Sequence, residues 1–201
     1  MSNIVNKNSG IISGIVITEP QMFSCHGRMF YEFYLKIKRK SEVEDVVLVN
    51  VPVNVVEQDF CSGAFITLKG QIRSYNKQVD DKRKLVVFFY ATELSIDLTQ
   101  TYFNEILLQG YIGTQPKIRK TPLGRTICDV ILAVNRPLKS DYIPCIFWGN
   151  QAEEICNCEL GSKVFILGRL QSRKYNKEID GKDVELIAYE ISVNQIVDEE
   201  A

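Results

Sequence analysis

The chain is written twice. GIVITEP at Gly14–Pro20 returns as GYIGTQP at Gly110–Pro116, 96 positions later. Gly27-Arg28 returns as Gly124-Arg125, and Glu32–Arg39 as Asp129–Arg136, both at a spacing of 97. Gly63–Gly70 answers Gly161–Gly168 at 98, and YNKQVDDK at Tyr75–Lys82 answers YNKEIDGK at Tyr175–Lys182 at 100. A spacing that drifts by a residue or two is what hairpin loops absorb. A period of roughly 100 residues is that of a small domain and far exceeds a solenoid repeat. Two copies of one domain are expected, over residues 8–97 and 104–197, with a linker near Asp97–Asn104.

Each copy reads as strands. Ile11–Thr18 and Glu105–Gly113 are rich in β-branched residues and bounded by turn residues. Met29–Lys38 and Thr126–Asn135 follow, then Asp45–Val53 and Asp141–Trp148. Short helices are expected at Asn54–Cys61 and Gln151–Glu159, stopped by Gly63 and Gly161 as left-handed C-terminal residues. Fourth strands span Ala64–Ile72 and Lys163–Gln171; charged hairpins then lead to Leu85–Glu93 and Val184–Val193. The order β-β-β-α-β-β is the layout of an oligonucleotide/oligosaccharide-binding (OB) barrel, and it also permits another small barrel. The expected class is all-β, with two tandem five-stranded barrels. Strand two of the second copy is apolar on both faces: Cys128, Val130, Leu132 and Val134 on one, Ile127, Ile131 and Ala133 on the other. A small barrel needs only one such face, so a partner barrel or a ligand is expected to cover the second.

Composition narrows the function classes. A hydrophobic fraction of 45% with 24% charged residues is globular rather than disordered. No apolar run approaches the ~20 residues needed to span a bilayer, and MSNIVNKNSG has no secretory pattern. A soluble cytoplasmic protein is expected, with no membrane partner. The six cysteines include no CxxC pair, and His26 is the only histidine. Metal, disulfide and cofactor are therefore not expected, and the thiols should be reduced and semi-buried. With no Gly-rich phosphate loop and no histidine near a plausible nucleophile, an enzyme is not expected either. A net charge of -1 decides nothing, because a nucleic-acid groove needs local rather than global positive charge.

The second copy resembles the bacterial single-stranded DNA-binding protein family over nearly all of Asn104–Val193. The residues that carry the likeness are Asn135-Arg136, DYIPCIFWGNQAE at Asp141–Glu153, LGSKVFILGRLQSRKY at Leu160–Tyr175, and the turn Asp180–Lys182. The first copy resembles the family mainly through the second. The resemblance implies OB barrels, four of which make the working unit, so a chain with two barrels would pair as a homodimer. It also implies bases stacked on Tyr142, Trp148 and Tyr175. A further family aromatic, in the loop between strands two and three, has no counterpart in the short Pro137–Ser140 segment. In the first copy Val46 and Pro52 stand where Tyr142 and Trp148 would be, while Tyr75 is retained. That implies weaker binding there, or a role in assembly. Family members carry a long tail whose acidic-apolar tip recruits replication enzymes. Here Asp198, Glu199 and Glu200 are acidic but lack that length and apolar end, so such recruitment is not expected.

Unstacked bases offer flat apolar faces, and each nucleotide carries one negative charge. Aromatic rings recover stacking and cations release counterions, both with little regard for sequence. The candidate cations are Arg125, Arg136, Arg169, Arg173, Lys174 and Lys177 in the second copy, with Arg28, Arg39, Arg73, Lys77 and Lys82 beside Tyr75 in the first. Taken alone, a Trp at a strand end is ordinarily a barrel plug or an interface residue. The expected partner is single-stranded DNA. The rival reading is a protein-contact module of primosome or mobile-element machinery, favoured by the missing loop aromatic, the missing tail and the near-neutral charge.

Overall fold

The computed structural model describes residues 8–79, 82–179 and 182–197, except the side chains of Lys82, Lys177, Ile179 and Lys182. The hairpin tips at 80–81 and 180–181 and the acidic end at 198–201, read above from sequence, lie outside the described residues. The described chain is mostly β. Its first half contains β1 (Asn8–Val16), β2 (Gln21–Cys25), β3 (Arg28–Lys38), β4 (Glu44–Pro52), β5 (Phe65–Val79) and β6 (Lys82–Ile96). The second contains β7 (Phe103–Ile112), β8 (Lys117–Lys120), β9 (Thr126–Arg136), β10 (Lys139–Trp148), α1 (Asn150–Cys156), β11 (Lys163–Ile179) and β12 (Lys182–Ile196).

In the first half β1 pairs with β3 and β5, β3 with β4, β4 with β6 and β6 with β5, so the pairings run in a closed circuit. The second half repeats this circuit with β7, β9, β10, β12 and β11. Period-two alternation turns Phe33, Leu35 and Ile37 of β3 and Val47, Val49 and Val51 of β4 inward. Cys128, Val130, Leu132, Val134, Ile143, Cys145 and Phe147 fill the matching space in the second half. Closing the circuit needs a bend where β5 and β11 leave one neighbour for the next. Each strand has a register shift there, at Lys69/Gly70 and at Leu167/Gly168. A Cβ on Gly168 would stand 2.6 Å from the carbonyl oxygen of Ser192, and one on Gly70 would run into that of Tyr90.

Several expectations need correction. The first copy has no helix at Asn54–Cys61, only one 3-10 turn at Val53–Val55 without a side-chain cap. Val53, Val55 and Val56 crowd three stiff β-branched side chains into four positions, whereas α1 carries one, Ile155, which it buries with Ala152. Gly63 and Gly161 do adopt positive φ, but they do not cap helices, since α1 ends at Cys156. Their N–H groups donate to the Val16 and Ile112 carbonyls instead, at 2.8 and 2.9 Å, and tie each loop to the end of β1 or β7. The short strands β2 and β8, absent from the sequence reading, pair with β3 and β9. The second face of β9 is partly covered within the chain: Ile127 is fully buried, with β8 and α1 packed against β9, while Ile131 and Ala133 are half-buried. Of the thiols, Cys128 and Cys145 are buried, but Cys25 and Cys61 are exposed.

The halves are joined by β1 and β7, which run antiparallel from Asn8↔Leu108 to Ser13↔Phe103. In this register Gly10 faces Ile106, its own counterpart 96 positions on. The pseudo-twofold axis therefore passes between a residue with no side chain and a fully buried isoleucine. A Cβ on Gly10 would collide with Ile106 Cδ1. Next to this seam, Asn8 and Asn104 each use the side-chain amide as a spare peptide. Asn8 bridges the N–H and C=O of Ile72, and Asn104 does the same for Leu170, at 2.7–3.0 Å.

Farther out the halves interlock through two buried carboxylates. Asp45, held by Arg39 at 2.6 Å, accepts the Ser172 N–H at 2.8 Å, and Ser172 Oγ accepts the Val46 N–H at 3.0 Å. Asp141, held by Arg136 at 2.7 Å, accepts the Ser74 N–H at 2.9 Å, and Ser74 Oγ accepts the Tyr142 N–H at 2.8 Å. Both carboxylates are completely buried, so the arginine and the serine N–H are their substitute for water. Asp141→Ala should therefore lower stability by about 1–3 kcal/mol in chemical denaturation, because it leaves the Ser74 N–H without its acceptor while Arg136 keeps partial access to water. At the seam, Gly10→Val should cost about 1–3 kcal/mol by overpacking. Combined with Ile106→Ala, it should cost less than the sum of the two single changes.

Candidate nucleic-acid interface

Alternation along β10 buries Asp141, Ile143, Cys145 and Phe147 and leaves Tyr142 and Trp148 on the opposite face. These two rings stand six residues apart, about 20 Å along the strand. Tyr142 is 49% exposed. Trp148 is half-buried, and its Nε1–H donates to Ser192 Oγ at 3.1 Å. That bond is possible because β10 runs parallel to β12 there, with Ile146 beside Ser192. It pins one edge of the indole while the ring lines an open groove of about 740 Å³.

Cations surround that groove: Arg125, Arg169, Arg173 and Lys174 from the second half and Arg39 from the first. Their charges are not equally free. Arg39 is committed to Asp45, Arg173 lies 3.4 Å from Glu190, and Lys174 lies 2.8 Å from Glu185. Arg136, expected to serve DNA, is likewise committed to buried Asp141 and does not line this groove. Arg125 is exposed and has no ion pair among the described residues. Arg169 differs from all of these: among the described residues its Nε is buried without a hydrogen-bond partner, and only a long Nη–H bond to Gln171 Oε1, 3.4 Å, engages the group. Burial first, and the neighbouring Arg39 second, pull its guanidinium below the ordinary arginine value. A group so placed gains from an incoming anion. Tyr175 is half-buried on the long β11 arm, with the Arg173 guanidinium 5.7 Å from its ring centre. The side chains of Lys82 and Lys177 lie outside the described residues.

The first half departs from the sequence reading. Ser74 and Ser172 play the same interlocking role, so structural equivalence runs at 98 there and the β11 arm is longer by two residues. Tyr75 thus corresponds to Arg173, and Tyr175 to Lys77; the shared Y-N-K motif marks likeness of sequence but not of place. Lys77 is exposed on its arm, and Arg28 lies exposed beside Met29 and Tyr90. Arg73 sits 4.7 Å from the Tyr90 ring centre and donates to Gln71 Oε1 at 2.6 Å. Tyr75 packs edge-on to Phe88 at 5.8 Å. Phe88 and Tyr90, with Phe23 and Phe30, are aromatic residues that the sequence reading missed. Their signal was present as alternation in LVVFFYA at Leu85–Ala91, which places Val87 and Phe89 inside and Phe88 and Tyr90 outside.

The model for the Single-strand binding protein family matches residues 103–197. Single-stranded DNA-binding protein B of Bacillus subtilis is 37% identical over 84 residues, which cover 38% of this chain and 74% of that protein. Single-stranded DNA-binding protein 3 of Listeria innocua is 37% identical over 89 residues, 40% of this chain and 55% of that protein. The crystal structure of the single-stranded DNA binding protein from Thermus aquaticus shares the fold, with a TM-score of 0.74 at 18% identity over 94% of this chain and 91% of that one. On its second half, therefore, this chain belongs to the single-strand binding protein family.

Proposed function

We propose that the chain binds single-stranded DNA without sequence preference, as a binding protein and not an enzyme. Its halves, residues 8–97 and 104–197, are two tandem OB barrels, with α1 between the third and fourth strands of the second. What carries this reading is the Trp148 ring, held by one edge in an open groove beside Arg125 and Arg169, whose buried Nε has no hydrogen-bond partner among the described residues. Each stacked base is worth about 1–3 kcal/mol, and every base has a face to stack. Tyr142 lies back along the same strand face, and Tyr175 with Arg173 extends the track onto the β11 arm. The work suits replication, recombination or repair in the bacterial cytoplasm, on the nucleoid.

Two chains pair, on this reading, to bring four barrels together. Support comes from the outward side of the β1–β7 seam, where Ile11, Leu107 and Leu167 line a shallow groove and Ile11 is 37% exposed. Apolar surface of this kind is usually covered by a partner. Light scattering should give twice the 23.0 kDa of one chain, and a monomeric mass would reject the pairing.

Trp148 is the only tryptophan, so its emission reports on one place. Titration with a thymine oligonucleotide should quench it, and salt should reverse the quenching. The slope of log affinity on log salt should grow by about 0.7 for each phosphate neutralised. Unchanged emission together with no mobility shift at low salt would reject the proposed activity.

A further inference from the structure

We propose that the first half holds nucleotides of its own, on an aromatic face built from β2, β3, β5 and β6 rather than at the positions of Tyr142 and Trp148. This rests on the single-stranded DNA reading and adds a second place of contact to it. The two halves show a set of exchanges at equivalent sites. Trp148 becomes Pro52, and its hydrogen-bond partner Ser192 becomes Tyr90. The diagonal neighbours Arg173 and Glu190 of β11 and β12 become Tyr75 and Phe88 of β5 and β6. An aromatic ring lost from β4 is thus replaced from β6, and an ion pair is replaced by an aromatic pair.

None of these rings is needed for the core. Val87, Phe89 and Ala91 of β6 point inward and are buried, while Phe88 and Tyr90 alternate with them on the outer face and remain half-buried. Phe30 joins them, stacked on Phe23 at 5.5 Å and edge-on to Tyr90 at 6.3 Å. Phe23, Phe30, Tyr75, Phe88 and Tyr90 all line one open groove of about 560 Å³, within the size range of small-ligand sites. Outward rings in such number signify a ligand or partner rather than stability.

Charge chooses the occupant. Arg73 lies over Tyr90, and Arg136 and Lys139 reach the same groove from the second half. Arg73 is partly desolvated and crowded by Arg136, and both effects pull its guanidinium below the ordinary value. A phosphate beside the two guanidiniums would relieve that repulsion, and a base would lie against Tyr90 and Phe88. Among the residues lining the groove, Glu32 is the one carboxylate. Asn50, with its amide turned to donate, reaches it at 3.2 Å. Flat apolar rings among cations fit a chain that alternates bases with phosphates.

The test uses the full chain and its Phe88→Leu/Tyr90→Leu double variant, which keeps apolar bulk. Labelled thymine oligonucleotides of increasing length are followed by anisotropy, with Trp148 emission reporting the second half. Short oligonucleotides should quench Trp148 equally in both proteins. Oligonucleotides long enough to span both grooves should bind the variant about tenfold or more weakly, the loss of one stacked base. Equal affinity at every length, with Trp148 quenched, would overturn the second site and leave the first. No quenching and no anisotropy change in the unaltered chain would overturn both. Ultraviolet crosslinking of the unaltered chain to a thymine oligonucleotide guards against a folding defect in the variant. Adducts on peptides containing Phe88 or Tyr90 are expected, and adducts confined to residues 142–175 would reject the proposal.

Discussion

Two buried carboxylates hold the halves in register. Asp45 and Asp141 each lose all contact with water and are compensated by an arginine of their own half and a serine N–H of the other. A charge so buried tolerates little displacement, because losing either partner leaves it uncompensated. The β1–β7 ladder and the bridging amides of Asn8 and Asn104 add backbone-like bonds near the same axis. Together these contacts fix how one half faces the other, and every groove described here inherits its shape from that.

Both grooves are finished by the opposite half. Arg39 and Val46 line the Trp148 groove, while Arg136 and Lys139 line the aromatic groove of the first half. The arginine pairs follow the same exchange, with Arg39 beside Arg169 and Arg136 beside Arg73. In each pair one guanidinium is balanced by a buried aspartate and the other is left partly desolvated. The interlock that stabilises the seam therefore also delivers positive charge to it. Separate halves would each lose part of the cationic lining.

Duplication within one chain permits what two identical subunits could not. On a true twofold axis a residue meets itself, so its size must suit its own image. Here the axis places Gly10 against Ile106, and the glycine makes room for a side chain that neither half alone would leave space for. The same freedom lets Trp148 and Ser192 in one half answer Pro52 and Tyr90 in the other. The halves keep one set of strand pairings while their outer faces diverge.

The repeat, the strand order within each copy and the inward residues were legible because they follow from period-two patterning and from segments compared at a fixed spacing. Trp148 was singled out by a resemblance confined to one half, and Arg125, Arg169, Arg173 and Lys174 by the positive charge that a phosphate backbone calls for. The helix expected at Asn54–Cys61 was misread because glycine at its end suggested a cap, while Val53, Val55 and Val56 favour extended backbone. The equivalence of Tyr75 with Tyr175 was misread because an identical motif sits on hairpin arms of different length. No local pattern says that Asp45 is spent on Ser172, that Arg39 is thereby committed, or that Phe88 and Tyr90 share a groove with Arg136. Those facts depend on residues far apart along the chain meeting across a seam. Alternation of side chains is a property of neighbours in sequence, so the sequence alone determined the five longer strands of each half and their buried faces. Burial of a charge and convergence of rings are properties of neighbours in space, and only the tertiary structure decided them.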